Sequence, residues 1–280
     1  MESLVPPGAC DCHVHIFDPA HPLPGRPPQE TPDATLAAYR AVQRATGLSR
    51  VVLVQANGYG SDNRCMLDAL ATLGRSVARG IAVVQPDATR ELLDDLDAQG
   101  VCGIRFHLLP GGLLDWEALP RLSRLAADLG WHVQVQCDGR TLAERADILA
   151  GLPCPIVIDH IGKFLEPVPV SHPGFVSLLR LLERGDVWVK LSAPYEVSRT
   201  GRPDYADVSV LASALADAAP ERMVWASNWP HPWFAEPPSE AELIALLAAW
   251  VPDENRRRDI LVGNPARLYG FDAGTERRAH

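Results

Sequence analysis

Eight short apolar runs alternate along the chain with longer segments whose apolar residues recur at helical spacing. The short runs are rich in valine and isoleucine, and polar residues or glycine and proline follow each one. This pattern is typical of buried strands that end in loops. Strands are therefore predicted over residues 9–17, 50–56, 80–85, 103–109, 132–137, 155–160, 187–192 and 223–228.

Helices are predicted over residues 31–47, 115–130, 141–151, 171–185, 205–219 and 239–251. The first of them begins with threonine and aspartate side chains that can cap a helix, and it ends at Gly47. Strands that alternate with helices form a parallel sheet, and eight of them close into a (β/α)8 TIM barrel. The alternative, an open doubly wound sheet, lacks its cofactor signature because no GxGxxG motif follows the first strand.

Composition is compatible with one large α/β domain. The chain has 280 residues, of which 47% are hydrophobic, and a barrel of this kind needs about 250 residues. No change in composition marks a linker. A single domain is therefore predicted over residues 1–270, with a C-terminal tail over residues 271–280.

Net charge and cysteine usage narrow the possible partners and the compartment. The formal net charge of −9 argues against a nucleic-acid surface. No signal-peptide pattern and no apolar run of about 18 residues occurs, so the expectation is a cytoplasmic protein without a membrane segment. Six cysteines without a CxxC pair are expected to be buried and reduced. The sequence leaves open whether the protein forms a homo-oligomer.

Polar side chains gather where the predicted strands end, which is the active-site face of a (β/α)8 barrel. His13 and His15 are two residues apart and therefore share one strand face. A single histidine at a strand end is more often structural. The convergence of three imidazoles on one mouth indicates a catalytic site instead. These imidazoles belong to His13, His15 and His160. Asp159 is expected to point away from the lumen, since its neighbour His160 should point inward.

Two further strand residues, Arg105 and His107, have two interpretations each. Arg105 is the candidate anion-binding residue, because a guanidinium can hold a carboxylate through two parallel hydrogen bonds. The alternative is an ion pair with Asp138 or Glu196. His107 lies on the same strand face as Arg105 and is either a ligand or a packing residue. Lys190 can neutralise a neighbouring carboxylate inside the barrel.

Several segments together resemble the amidohydrolase superfamily. They are DCHVHIFDP after position 10, DHIGK near position 160, WPHP from Trp229 and NPARLYGF near the C-terminus. More narrowly, they resemble the branch that contains 2-pyrone-4,6-dicarboxylate lactonase and related sugar-acid lactone enzymes. The resemblance extends from about residue 9 to residue 271, and it implies a (β/α)8 barrel.

The resemblance also implies two possible mechanisms. In metal-dependent members the positions of His13, His15 and His160, together with a strand-8 aspartate, hold a divalent ion such as Zn or Mn. The lactonase branch is thought to need no cofactor. There the strand-8 aspartate is the general base for water, and the histidines polarise the lactone carbonyl. The implied catalytic positions are His13, His15, His160 and Asn228.

Asn228 stands where the family places that aspartate. An amide has no basic site at neutral pH and is a poor metal ligand. Two explanations are open. The favoured one is a near-isosteric, introduced substitution that leaves a weak or dead catalyst, because Trp229, Pro230 and His231 continue the strand-8 motif. The other is a natural divergence whose chemistry does not use that base.

The predicted function is hydrolysis of a small carboxylated lactone. The lactonase has a second arginine after its GIRF segment, whereas this chain reads HLLPGG, so one anion is expected on the substrate. Candidate substrate-binding residues are Arg105, His107, Asn57, Tyr59, Gln136, Tyr195, Arg199 and His231. The alternatives are a lactone isomerase, a metal-dependent decarboxylase and a non-catalytic ligand-binding homologue.

Overall fold

All eight predicted strands occur in the computed structural model of the chain, which describes residues 4–231, 234 and 236–271. They pair in parallel in the order of the sequence, and the chain therefore forms a (β/α)8 barrel, as predicted. The tail predicted over residues 271–280 lies, apart from Phe271, outside the described residues. The strands are β1 (Cys10–Val14), β2 (Arg50–Val54), β3 (Ala78–Ala82), β4 (Val101–His107), β5 (His132–Gln136), β6 (Ile156–Ile158), β7 (Val187–Leu191) and β8 (Met223–Trp225).

Helices follow the strands and cover the outside of the sheet. The six predicted helices are present, whereas α2, α3, α9 and α10 were not predicted. A π-helical turn at Asp259–Gly263 joins α9 to α10. The described α-helices are α1 (Leu36–Thr46), α2 (Arg64–Leu73), α3 (Arg90–Ala98), α4 (Leu119–Asp128), α5 (Leu142–Ala150), α6 (Pro173–Leu182), α7 (Ala206–Ala218), α8 (Glu240–Trp250), α9 (Glu254–Arg258) and α10 (Asn264–Tyr269).

The start of β3 differs from the prediction, because pairing rather than apolarity sets a strand's ends. The predicted start was residue 80, but β3 already pairs with β2 at Ala78 and continues through Arg79. Because Arg79 is polar, a search for apolar residues does not detect that β3 begins before it. Similarly, β1 ends at Val14, and Phe17 instead bridges to Ala34 in the following loop.

The barrel closes through backbone contacts between β1 and the segment after β8. The Asn228 N–H donates to the His13 carbonyl at 3.0 Å, and the His15 N–H donates to the Trp229 carbonyl at 2.9 Å. The buried carboxylate of Asp11 reinforces the closure, since it accepts from the backbone N–H of Ser227 at 2.9 Å. These contacts bring the HxH pair next to the strand-8 motif, 213 residues further along (228 − 15).

Buried apolar side chains form two clusters. The larger packs helices against strands, with Tyr39, Phe106 and Phe175 among its fully buried members. The smaller joins strand residues such as Val52 to Tyr269 and Phe271. Among the described residues, no helix is long and apolar enough to cross a membrane.

Candidate active site

A cavity of about 520 Å³ opens where the strands end. A volume of this size suits a small-molecule ligand. Its charged side chains are Arg105 and Lys163 against Glu196, so two cations face one carboxylate. The lining residues are His15, Phe17, Ala56, Asn57, Gly58, Arg105, His107, Leu109, Pro110, Gln136, His160, Lys163, Glu196, Asn228, His231 and Phe234.

The two histidines of the HxH pair are hydrogen-bonded to each other, and their partners define both tautomers. His15 Nδ1 lies 2.8 Å from the Val54 carbonyl, which can only accept, so Nδ1 carries the proton. Burial lowers the pKa of His15 to about 3, and its Nε2 is therefore an acceptor at neutral pH. His13 Nε2, at 3.1 Å, must donate to it. Neither of these Nε2 atoms therefore has a free N–H for a substrate carbonyl in this arrangement, and the catalytic role of the two residues stays a prediction.

His160 is differently placed, because no described residue is hydrogen-bonded to its second ring nitrogen, Nε2. Its Nδ1 lies 2.9 Å from the hydroxyl of Ser192, which follows β7. When that hydroxyl donates, Nδ1 accepts and the proton resides on Nε2. Burial lowers the pKa of His160 well below its usual value, so the ring is neutral. Of the three predicted imidazoles, His160 is the one whose N–H can face a ligand in the cavity.

Asp159 points into the barrel, so the prediction that it faces outward was wrong. Its Oδ1 lies 3.4 Å from His13 Nδ1, and its Oδ2 accepts from Gln134 at 3.0 Å. Strand β6 ends at Ile158, and His160 has a left-handed φ of 55°. Side chains alternate between faces only within an extended strand. The turn therefore lets Asp159 and His160 point to the same side.

Lys190 neutralises Asp159, as predicted. Its Nζ lies 3.5 Å from Asp159 Oδ1, 3.2 Å from His13 Nδ1 and 2.7 Å from Gln134 Oε1. The ammonium group therefore has two hydrogen-bond acceptors, His13 Nδ1 and Gln134 Oε1, and an ion-pair partner in Asp159, and both ends of that pair are fully buried. Lys190 and Lys163 are the two lysines of the chain, and all other basic side chains except histidine are arginines. Both lysines belong to this region.

Arg105 is held in place by neutral partners rather than by an ion pair. It donates to the Gln55 carbonyl at 2.8 Å and to Gln136 Oε1 at 3.0 Å. Two of its five N–H hydrogens are thus used, and its buried Nε has no partner within the described residues. Asp138 instead pairs with Arg140. The guanidinium is rigid, borders the cavity and has hydrogens left for an anion.

A second polar network surrounds Asn228. Its Nδ2 donates to Glu196 Oε1 and to the Tyr195 hydroxyl, each at 3.0 Å. The other oxygen of Glu196 pairs with Lys163 Nζ. Because Tyr195 accepts from Asn228, its own proton goes to His231 Nδ1 at 2.5 Å. Burial also lowers the pKa of Lys163 to about 8.

The structure brings together most of the residues proposed from the sequence. His15, Asn57, Arg105, His107, Gln136, His160, Asn228 and His231 line the cavity. His13 and Tyr195 lie behind the cavity wall in the two networks. Tyr59 donates instead to the His21 carbonyl at 2.8 Å. Arg199 is exposed and pairs with Glu166 at 3.0 Å.

Lys163 and Glu196 line the cavity, but the sequence analysis gave Lys163 no role and named Glu196 only as a possible ion-pair partner of Arg105. Both lie in turns, where strand periodicity gives no side-chain direction. Ala193, with φ 50°, precedes the turn at Pro194–Glu196, and Lys163 itself has φ 49°. The available signal was the rarity of lysine in this chain.

The residues present fit a divalent metal ion poorly. Within the described chain, His13, Asp159 and His160 have ligand atoms that all lie within 4.8 Å of one another. Lys190 and Arg105 are cations beside that group and lower the pKa of His13 in addition to burial. The Nε2 atoms of His13 and His15 share a hydrogen bond, and position 228 offers an amide instead of a carboxylate. Zinc prefers imidazole and anionic ligands.

The buried histidines should make the protein less stable in acid. Burial lowers the pKa of His15 and His132 to about 3 and that of His107 to about 4. Between these values and about 6.5, the unfolded chain binds more protons, so the free energy of unfolding falls as pH falls. Asp11 partly offsets this, because burial raises its pKa to about 6.

Urea unfolding between about pH 6.5 and pH 4.5 measures this effect. In the His132→Gln variant, the slope of stability against pH should decrease by up to about 1.4 kcal/mol per pH unit, which corresponds to one proton. An equal slope in both proteins would contradict the assignment of His132 as a buried neutral group.

An eight-stranded barrel with histidines, an arginine and a lysine around one mouth defines a (β/α)8-barrel protein with a small-molecule site at the strand ends. The chain belongs to the amidohydrolase family, whose sequence profile matches residues 10–271.

Its relatives include enzymes of lactone chemistry. The chain is 35% identical over 280 residues to 4-sulfomuconolactone hydrolase of Hydrogenophaga intermedia, covering 96% of this chain and 91% of that protein. It is 35% identical over 271 residues to D-galactarolactone isomerase of Agrobacterium fabrum, covering 94% and 91%. A crystal structure of an Agrobacterium tumefaciens protein in its apo form superposes with a TM-score of 0.87, at 33% identity, over 96% of this chain and 97% of that chain. The resemblance to lactone enzymes is thereby confirmed.

Proposed function

We propose that the protein hydrolyses a small lactone that carries an anionic group. The observation that carries this proposal is the convergence of Arg105, Lys163 and His160 on one cavity of about 520 Å³. Lactone hydrolysis needs hydrogen-bond donors where negative charge develops and a fixed contact that orients the substrate. Relatives named for lactone hydrolysis and lactone isomerisation support the same class of substrate.

In this mechanism Arg105 holds the substrate's anionic group, and His160 faces the lactone carbonyl. Water attacks the carbonyl carbon and loses a proton to a base, while the carbonyl electrons move to the oxygen. The Nε2–H of His160 stabilises that oxyanion. Collapse breaks the ring C–O bond, and the released oxygen takes up a proton to give a hydroxy acid. We propose that no metal takes part, because the cations around His13 and Asp159 disfavour one.

Isomerisation is the second candidate, because D-galactarolactone isomerase is among the relatives. A substrate hydroxyl would replace water as nucleophile and convert one ring size into another. The amide at position 228 is not a base for either nucleophile, so it does not distinguish the two reactions. The hypothesis that Asn228 inactivates the chain stays a prediction. Its amide donates two hydrogen bonds that a carboxylate could not donate, which favours a natural divergence.

The test is turnover of a lactone panel in water labelled with oxygen-18. The panel contains lactones of aldaric acids and muconolactone-type lactones, which keep a free carboxylate, with uncharged lactones of the same ring size, such as those of aldonic acids, as controls. Hydrolysis should release acid in a pH-stat and place labelled oxygen in the product carboxylate. Isomerisation should do neither but should change the ring by NMR. Chelator should leave the rate unchanged. No turnover of any anionic lactone, or equal turnover of the uncharged controls, would contradict the proposal.

A further inference from the structure

We propose that Glu196 is the general base of this site, taking the role that the family resemblance assigns to a carboxylate at position 228. This inference rests on the proposed lactone chemistry and adds the group that accepts the proton from the nucleophile. It applies whether the nucleophile is water or a hydroxyl of the substrate.

Glu196 is the one carboxylate among the described residues that line the cavity. Its side chain retains 21% of its exposure, so it borders the space that a ligand would fill. Two other carboxylates lie nearby but do not line the cavity. Asp159 is fully buried beneath Lys190 and Gln134, and Glu240 lies behind His231, 3.6 Å from its Nε2. The site therefore contains a carboxylate, although not on strand 8.

The contact with Asn228 places the Glu196 carboxylate next to the position where the family has its aspartate. Glu196 Oε1 lies 3.0 Å from Asn228 Nδ2, which is one hydrogen bond from the family position. An aspartate at 228 would place two carboxylates at about this distance, and such a pair cannot be fully ionised. Asparagine at 228 and glutamate at 196 are therefore complementary, since the amide donates where a second carboxylate would repel.

Lys163 fixes the other end of the carboxylate. Its Nζ pairs with Glu196 Oε2, and the lysine side chain is largely buried. With one oxygen on Lys163 and the other on Asn228, the carboxylate plane is oriented by two elements, the turn after β6 and the segment after β8. Orientation of a catalytic group by fixed partners is what general-base catalysis requires.

The proposed step conserves atoms and charge. The nucleophile's oxygen forms a bond to the lactone carbonyl carbon as its proton passes to a Glu196 carboxylate oxygen. The carbonyl electron pair moves to oxygen. When the intermediate collapses, the ring C–O bond breaks and Glu196 returns the proton to the departing oxygen, so that the carboxylate is regenerated.

The experiment compares variants on a lactone that the wild-type protein turns over. Glu196→Gln should lower kcat by about 10²–10⁴-fold, the usual contribution of a general base, and leave KM within about threefold. The matched control Glu117→Gln changes an exposed glutamate outside the cavity and should retain wild-type kcat. A Glu196→Gln enzyme with kcat within about threefold of wild type, or with its loss in KM alone, would overturn the assignment.

Asn228→Asp separates this proposal from a disabled base at position 228. If Glu196 is the base, the added carboxylate beside it should lower kcat. A rise in kcat of about 10²-fold would instead identify Asn228 as a disabled base and overturn the role of Glu196.

A variant that removes both partners addresses folding. Glu196→Gln leaves Lys163 without its partner and can destabilise the chain. Glu196→Gln/Lys163→Met removes the unpaired charge, and it should unfold at a urea concentration close to wild type with kcat still reduced. Wild-type kcat in that variant would overturn the proposal. Failure of the wild-type protein on every lactone is a different result, because it removes the proposed function and the role of Glu196 together.

Discussion

Replacing Lys190 by methionine is expected to lower the free energy of unfolding by about 3–5 kcal/mol. Methionine keeps much of the side-chain volume, but the Asp159 carboxylate then remains fully buried without its cation. Gln134 Oε1 and His13 Nδ1 would lose the donor they share as well. Removal of one member of a buried ion pair is strongly destabilising because the other charge stays out of water. Urea unfolding at neutral pH measures the loss.

The Lys190→Met/Asp159→Asn variant is the control for this prediction. It removes both charges, so it should regain a large part of the lost free energy of unfolding. The difference in this free energy between the single and the double variant measures the cost of the unpaired Asp159 carboxylate. A Lys190→Met variant within about 1 kcal/mol of wild type would contradict the picture of a tightly paired lysine. In that case Asp159 would have to be protonated or reached by water in the variant.

Replacing His160 by leucine should lower kcat by about 10²–10³-fold, the range measured when one oxyanion donor is removed. Leucine fills similar space but has no N–H for the developing oxyanion. His160→Gln is the matched variant, because its side-chain amide places a donor near the position of Nε2 and should retain more of the rate. Steady-state kinetics on the preferred lactone give both values.

Measuring how tightly the two variants bind the product hydroxy acid distinguishes a loss of catalysis from a loss of folded protein. Both should bind the product with similar affinity, because Arg105 holds the anionic group and is unchanged. Equal rates in the leucine and glutamine variants would argue that His160 packs against Ser192 and donates nothing to the substrate. Ser192→Ala offers a smaller perturbation of the same ring, since Nδ1 then loses its partner at 2.9 Å.

The pattern of apolar residues was sufficient to predict the barrel. Eight continuous apolar runs that alternate with amphipathic helices indicate a parallel sheet covered by helices, and both patterns can be recognised within each segment. The pattern missed four helices, α2, α3, α9 and α10, none of which is longer than ten residues. The strand ends were predicted less well, because backbone pairing with a neighbour determines them and side-chain polarity does not.

The site was predicted wherever strand periodicity applies. His13, His15, Arg105 and His107 lie on β1, β4 or directly after them, and residues two apart share a face of a strand. Strand periodicity does not extend beyond the last residue of a strand, and the predicted orientation of Asp159 was wrong for this reason. It gives no information about Lys163 and Glu196, whose turns have left-handed backbone at or beside them.

The sequence by itself determined the strand order, the family and the convergence of polar groups on one face of the barrel, because each depends on residues close together in the chain. The tertiary structure alone decided which atoms meet. Barrel closure joins β1 to the segment after β8, and the turns after β6 and β7 bring Lys163 and Glu196 to Asn228. Such pairings depend on backbone torsion angles and packing across more than thirty residues, which no local pattern encodes.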